Sequence, residues 1–119
     1  MRYLCLVHFD ASILLAITPE ERQDLDRRSL AYDDELRRRG AFLRSDALEG
    51  PDAAVLVRRR DGQTLASDGP YLETKEQMGG FILIEARDLN EAVDLAAGIP
   101  IAAFGTIEVR PVHLIPTPP

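Results

Sequence analysis

Asp68, Glu73, Lys75 and Glu76 fall within one stretch, residues 67–81, together with Tyr71, Pro70 and the glycines Gly69, Gly79 and Gly80. A loop stiffened by proline and flanked by glycines can hold its polar groups in a fixed shape. Lys75 offers a cation, and Asp68 and Tyr71 offer hydrogen-bonding groups, to a small anionic molecule at a pocket mouth. The same residues also have a structural use. Asp68 can close an Asx turn, Gly69 can take a positive φ, and Pro70 can set the bend. Lys75 and Glu76 can form surface ion pairs that contribute little.

His8, Glu85 and Glu108 form a second constellation. His8 ends an apolar run, Tyr3-Leu4-Cys5-Leu6-Val7-His8-Phe9, and a strand register that sets it beside Glu85 or Glu108 makes an acid–base pair, because a carboxylate orients an imidazole. A parallel relation between the first strand and residues 80–86 would bring Glu85 to the His8 end. The alternative is a half-exposed histidine at a strand end. Glu108 and Arg110 alternate with Ile107 and Val109, so both charges share one strand face, where they pair structurally or anchor a ligand. His113 falls beyond Pro111, in a solvated segment.

Other chemistries lack their residues. There is no glycine-rich phosphate loop ahead of a helix, no Cys/His metal spacing and no nucleophile elbow, so neither cofactor nor metal is expected. With 20 acidic against 14 basic residues and a net charge of −6, the chain has no cationic surplus for nucleic acid. The single cysteine, Cys5, cannot form an internal disulfide and sits in an apolar run, which fits a reducing compartment. No apolar span long enough for a membrane and no signal-peptide pattern is present, so a cytoplasmic location without membrane contact is expected.

The elements that carry these residues read clearly. Residues 3–9 are short and apolar on both faces, as in an interior strand. Thr18, Pro19 and Glu21 make a capping box, Leu25, Ser29, Tyr32 and Leu36 form one stripe, and Gly40 stops the helix. Residues 41–48 and 53–59 are extended, and Asp61-Gly62 turns the chain back through residues 63–66. Residues 80–86 form a second interior strand, Asp88 and Glu91 cap a short helix with a buried stripe of Leu89, Ala92, Val93 and Ala96, and residues 106–113 form the last strand. The order β-α-β-β-α-β with an extra hairpin is an α+β, ferredoxin-like split βαβ arrangement in one domain, residues 1–113, followed by a mobile tail at 114–119. Both helices then cover one face of the sheet. The other face is also apolar and must be buried by something else, which predicts a homodimer.

The stretch Asp68-Gly69-Pro70-Tyr71, the strand start Gly79-Gly80-Phe81, the helix near residues 90–97 and the closing Gly105-Thr106-Ile107-Glu108-Val109-Arg110-Pro111 resemble the YCII-related (DGPF-domain) family over roughly the whole chain. The resemblance implies two sheets packed as a dimeric α/β barrel with a pocket between or beside them. It implies no assigned reaction, but a functional link to an alternative sigma factor. Some members carry a histidine–aspartate pair with the histidine on the first helix. Here that helix reads Asp26-Arg27-Arg28-Ser29-Leu30, without a histidine, so the pair does not carry over. Two functions follow as expectations: a protein binding a small organic, anionic ligand through Asp68, Tyr71, Lys75 and Arg110, or a cofactor-free lyase or isomerase with His8 or a carboxylate as general base.

Overall fold

Tyr3, Cys5 and Val7 alternate with Leu4 and Leu6 along β1 (Arg2–Phe9), an interior strand of the computed structural model, which describes residues 1–119. A short helix, α1 (Ser12–Ala16), follows and leads to the long α2 (Pro19–Arg38). The α2 cap forms as its sequence dictates. The Thr18 hydroxyl accepts from the Glu21 N–H at 3.1 Å, and the Glu21 carboxylate accepts from the Thr18 N–H at 3.1 Å. Leu25 and Leu36 are buried along its inner stripe, with Ser29 and Tyr32 half-buried between them.

β2 (Phe42–Ala47) follows, then a turn at Pro51–Ala53 and the hairpin of β3 (Val55–Arg60) and β4 (Gln63–Asp68), closed by Asp61 and Gly62, both at positive φ. β5 (Gln77–Glu85), α3 (Leu89–Ala97) and β6 (Thr106–Pro111) complete the chain. Four strands form an open sheet in the order β2-β5-β1-β6, every neighbouring pair antiparallel, and β3-β4 stand apart as a two-stranded sheet. The protein is therefore α+β, with three helices against an antiparallel sheet and no closed barrel within one chain.

Two sequence expectations need correction. β1 and β5 run antiparallel, which sets Glu85 opposite Arg2 and puts it at the far end of the sheet from His8. The inner face of α3 is Ala92, Leu95 and Ala96, continued by Ile99, while Leu89 and Val93 are about half exposed. Residues 92, 95, 96 and 99 follow the helical i, i+3, i+4, i+7 pattern as well as the expected set does, and the small alanines let this short helix sit close to the sheet.

The core lies between the helices and one sheet face. Tyr3, Cys5, Val7, Ile82 and Ile84 meet Leu36 from α2 and Ala92, Leu95 and Ala96 from α3, and Ile107 and Val109 of β6 pack at the margin. Leu4, Leu6, Phe81 and Leu83 point to the opposite face, which no helix covers, and the Cα framework is correspondingly thin, 48 × 47 × 18 Å.

Cys5 is fully buried in this core, and the loss of solvation pushes its thiol from an ordinary 9.0 up to about 11. Tyr32, whose hydroxyl donates to the Leu95 carbonyl, is raised in the same direction, chiefly by burial. Folding favours the protonated form of each. The stability that Cys5 contributes is thus complete below pH 9 and is lost as pH rises through about 11. Denaturant midpoints measured from pH 8 to 11 should fall less steeply in Cys5→Ala than in the parent; parallel curves would show that burial does not raise the thiol above its unfolded value.

Candidate functional site

Gly79 and Gly80 interrupt a strand that is otherwise Phe, Ile and Leu, and they do so on the stretch that passes beneath the N-terminal half of α2. The inward face of β5 reads Ile84, Ile82, then Gly80. Where a third large side chain would fill the core there is none. A Cβ at Gly80 would come within 2.9 Å of the Asp46 carbonyl oxygen, and one at Gly79 would collide with the Phe9 ring, so β2 and Phe9 hold both positions to glycine. Across the gap, the stripe of α2 places Ser29 between Leu25 and Tyr32. Small residues thus face one another from helix and sheet.

The result is a cavity of about 750 Å³ between α2, the β2-β5-β1 end of the sheet and the segment Ile99–Ile101. Val7, Phe9, Leu25, Ile82 and Ile101 form apolar walls, and Leu14 of α1, Leu30, Leu48 and Met78 contribute around them. Its ionisable lining is Arg22, Asp26, Asp33, Asp46 and Glu49, four carboxylates against one guanidinium. Arg22 Nε is 3.4 Å from Asp26 Oδ1, and Asp33 Oδ2 accepts from Ser45 Oγ at 2.7 Å, which ties α2 to β2 beside the cavity. The size suits a modest organic molecule, and the walls are mostly apolar with a few polar groups, the usual make-up of a small-molecule site.

Of the residues singled out in the sequence, none of Asp68, Tyr71, Lys75 and Arg110 lines this cavity. Asp68 closes the root of the hairpin opposite Val55, and its side chain forms no Asx turn. Gly69 takes φ +100 and donates its N–H to the Ala54 carbonyl at 2.9 Å, a conformation that requires glycine. Tyr71 and Lys75 are exposed on the loop, and neither Lys75 nor Glu76 has an ion-pair partner. Lys75 does approach the end of β1. Asp10 is held below the usual carboxylate range first by the Ser12 N–H at 3.0 Å, then by the Ser12 hydroxyl at 2.8 Å, with a smaller pull from the Lys75 charge. Arg110 pairs with Leu4, four residues along β6 from the Thr106–His8 rung, or about 13 Å.

Register does bring His8 to Glu108. His8 Nε2 lies 3.1 Å from Glu108 Oε1 on the face without helices, and next to them Thr106 Oγ1 donates to Glu76 Oε1 at 2.8 Å. Glu85 instead lies 3.4 Å from the N-terminal ammonium. Arg110 has no carboxylate within 4.0 Å, so the structural pairing expected for it is absent in the single chain.

The cavity was the feature sequence reasoning passed over. Its signal was present as Ser29 in a stripe of large residues and the glycine pair in an apolar strand, two deletions of volume that only the fold aligns.

Over residues 1–115 the chain matches the YCII-related domain. An uncharacterized protein of Rhizobium meliloti (strain 1021), R00369, is 35% identical over 116 residues, covering 96% of this chain and 94% of the relative. With both matches running nearly end to end, the chain belongs to the YCII-related domain family.

Proposed function

We propose that the protein binds a small organic ligand in the cavity between α2 and the sheet, and does so as a homodimer joined through the sheet face that has no helices. The cavity carries the reading: about 750 Å³, open to solvent on one side and bounded by Gly80, Ser29 and apolar side chains, is a cleft of the size and lining that small-molecule sites have. Its ionisable groups set the ligand class. Arg22 is paired with Asp26 and Asp46 with Arg44, which leaves Asp33 and Glu49 as the lining carboxylates without a cation, and these suit an apolar compound that is neutral or carries an ammonium group better than an anion. The anionic ligand expected from Lys75 and Arg110 has no support from these walls.

Ser29→Leu places an isobutyl group in the cavity from a helix position that already tolerates partial burial. Thermal-shift titration with apolar amines and the matching carboxylic acids should stabilise the parent with the amines and leave Ser29→Leu unmoved, because ligand at about a hundredfold over Kd stabilises by roughly 2.7 kcal/mol. Equal shifts in both proteins would remove the cavity as the site.

The dimer reading rests on Leu4, Leu6, Phe81 and Leu83, which lie side by side on adjacent strands and form an apolar band with His8, Glu108 and Arg110 on one flank and Arg44 and Asp46 on the other. An apolar centre with a charged rim is the usual make-up of a subunit contact. Two such sheets pack at about 10 Å, giving the dimeric α/β barrel, and each Å² of apolar surface covered contributes about 25 cal/mol. Leu83→Lys should yield a monomer or an aggregate in sedimentation velocity. A concentration-independent monomer for the parent protein would rule the dimer out.

A second reading has its own observation, the 3.1 Å contact between His8 and Glu108. An imidazole oriented by a carboxylate is a general base, so the protein would act as a cofactor-free lyase or isomerase. For any turnover found in a screen of small acids with an enolisable proton, His8→Ala should lower the rate at least about a hundredfold. An unchanged rate excludes His8.

A further inference from the structure

The β3-β4 hairpin has no partner in its own chain. Its two strands bond to one another and to no strand of the main sheet, and Gly69 N–H to Ala54 C=O continues that ladder only at the root. An isolated two-stranded hairpin is marginal in water. This one also exposes apolar side chains on both faces: Val55 and Val57 on one are 59% and 69% exposed, and Leu65 on the other is 49% exposed. The six-residue strands reach about 20 Å. They help raise the radius of gyration to 16.6 Å, against about 13.5 Å for a compact chain of this length.

Charge points to the occupant. Arg58, Arg59 and Arg60 run along the outer half of the arm, and none has a carboxylate within 4.0 Å. Arg59 reaches only the Thr64 hydroxyl, at 2.7 Å, and Arg60 only a neighbouring carbonyl, at 2.9 Å. The whole chain carries −6 even with these three cations included, and Glu49, Asp52, Glu73 and Glu76, close to the arm's root in sequence, likewise have no cation within 4.0 Å. A cationic, partly apolar arm on an acidic body is complementary to another copy of that body. A two-fold axis satisfies both arms at once. The arm also leaves from β2 and returns to β5, neighbours in the sheet whose free face forms the proposed dimer, so it is continuous with that interface.

We infer that the hairpin is an exchange arm, which in the homodimer packs Val57 and Leu65 against the second copy and sets Arg58–Arg60 among its carboxylates. The inference rests on the homodimer proposed above and adds a reciprocal clasp to the face-to-face contact. The arm touches little of its own chain, so substitutions on it spare the fold of the body.

The experiment uses Val57→Cys labelled with a benzophenone maleimide, Cys5 being buried and poorly ionised. Isotopically light and heavy protein are mixed, allowed to exchange and irradiated. Cross-linked peptides joining position 57 of one isotope to body residues of the other are expected. Reversal of all three arginines to glutamate should raise the dimer dissociation constant at least tenfold at low salt, with the difference shrinking as salt is added. A protein that sediments as a dimer yet yields no mixed-isotope peptides, or whose dimerisation the reversal leaves unchanged, overturns the arm while the dimer stands. A monomeric parent overturns both.

Discussion

One constraint organises the protein: the central strands β1 and β5 are apolar on both faces, while a single chain supplies helices for one. Tyr3, Cys5, Val7, Ile82 and Ile84 are buried under α2 and α3, but Leu4, Leu6, Phe81 and Leu83 face outward with no layer above them. Alternation along a strand makes the two faces inseparable, since every residue that feeds the core is followed by one that cannot. A shift of register by one residue would exchange the faces without reducing the apolar total. It is this uncovered face that the proposed homodimer would close with a second sheet.

Within the covered half, packing is complete at one end and interrupted at the other. Leu36, Ile84 and Cys5 are sealed where α2 approaches α3. Toward the start of α2, glycine on the strand and serine on the helix withdraw the side chains that would continue the core, and Gly80 is constrained by the Asp46 carbonyl 2.9 Å from where a Cβ would sit. That combination differs from a packing defect. The close approach of the β2 backbone keeps Gly80 without a side chain, and the Ser45–Asp33 hydrogen bond, at 2.7 Å, ties the helix to β2 beside the cleft.

Much of the fold was legible in local chemistry. The capping box at Thr18 and Glu21, the Asp61-Gly62 turn and the apolar runs of β1 and β5 each follow from residues close together in sequence, and each stands where the pattern puts it. What could not be read was relative direction and depth. Whether β1 and β5 run parallel or antiparallel depends on which strand lies between which, so Glu85 was expected near His8 and lies at the opposite end beside Arg2, while Glu108, on a strand adjacent to β1, does meet His8. Depth misled at α3, where two faces satisfy the helical period and the smaller one packs. At the loop of residues 67–81 Gly69 closes a hairpin root, and the cleft between α2 and the sheet lies apart from Asp68, Tyr71 and Lys75.

The strand that joins these regions is β5. Gly80, Phe81 and Ile82 line the cavity, the side chains of Phe81 and Leu83 lie in the uncovered apolar band, and the chain enters the strand directly from the hairpin through residues 69–76. Successive residues of one strand are at most about 3.8 Å apart along the backbone, so a displacement of β5 that a ligand imposes from the Gly80 side is felt at Phe81 with nothing between to absorb it. Coupling of this kind needs differential contact in two states rather than proximity alone. In the proposed dimer, a ligand in the proposed site and the partner sheet would therefore meet opposite faces of the same strand.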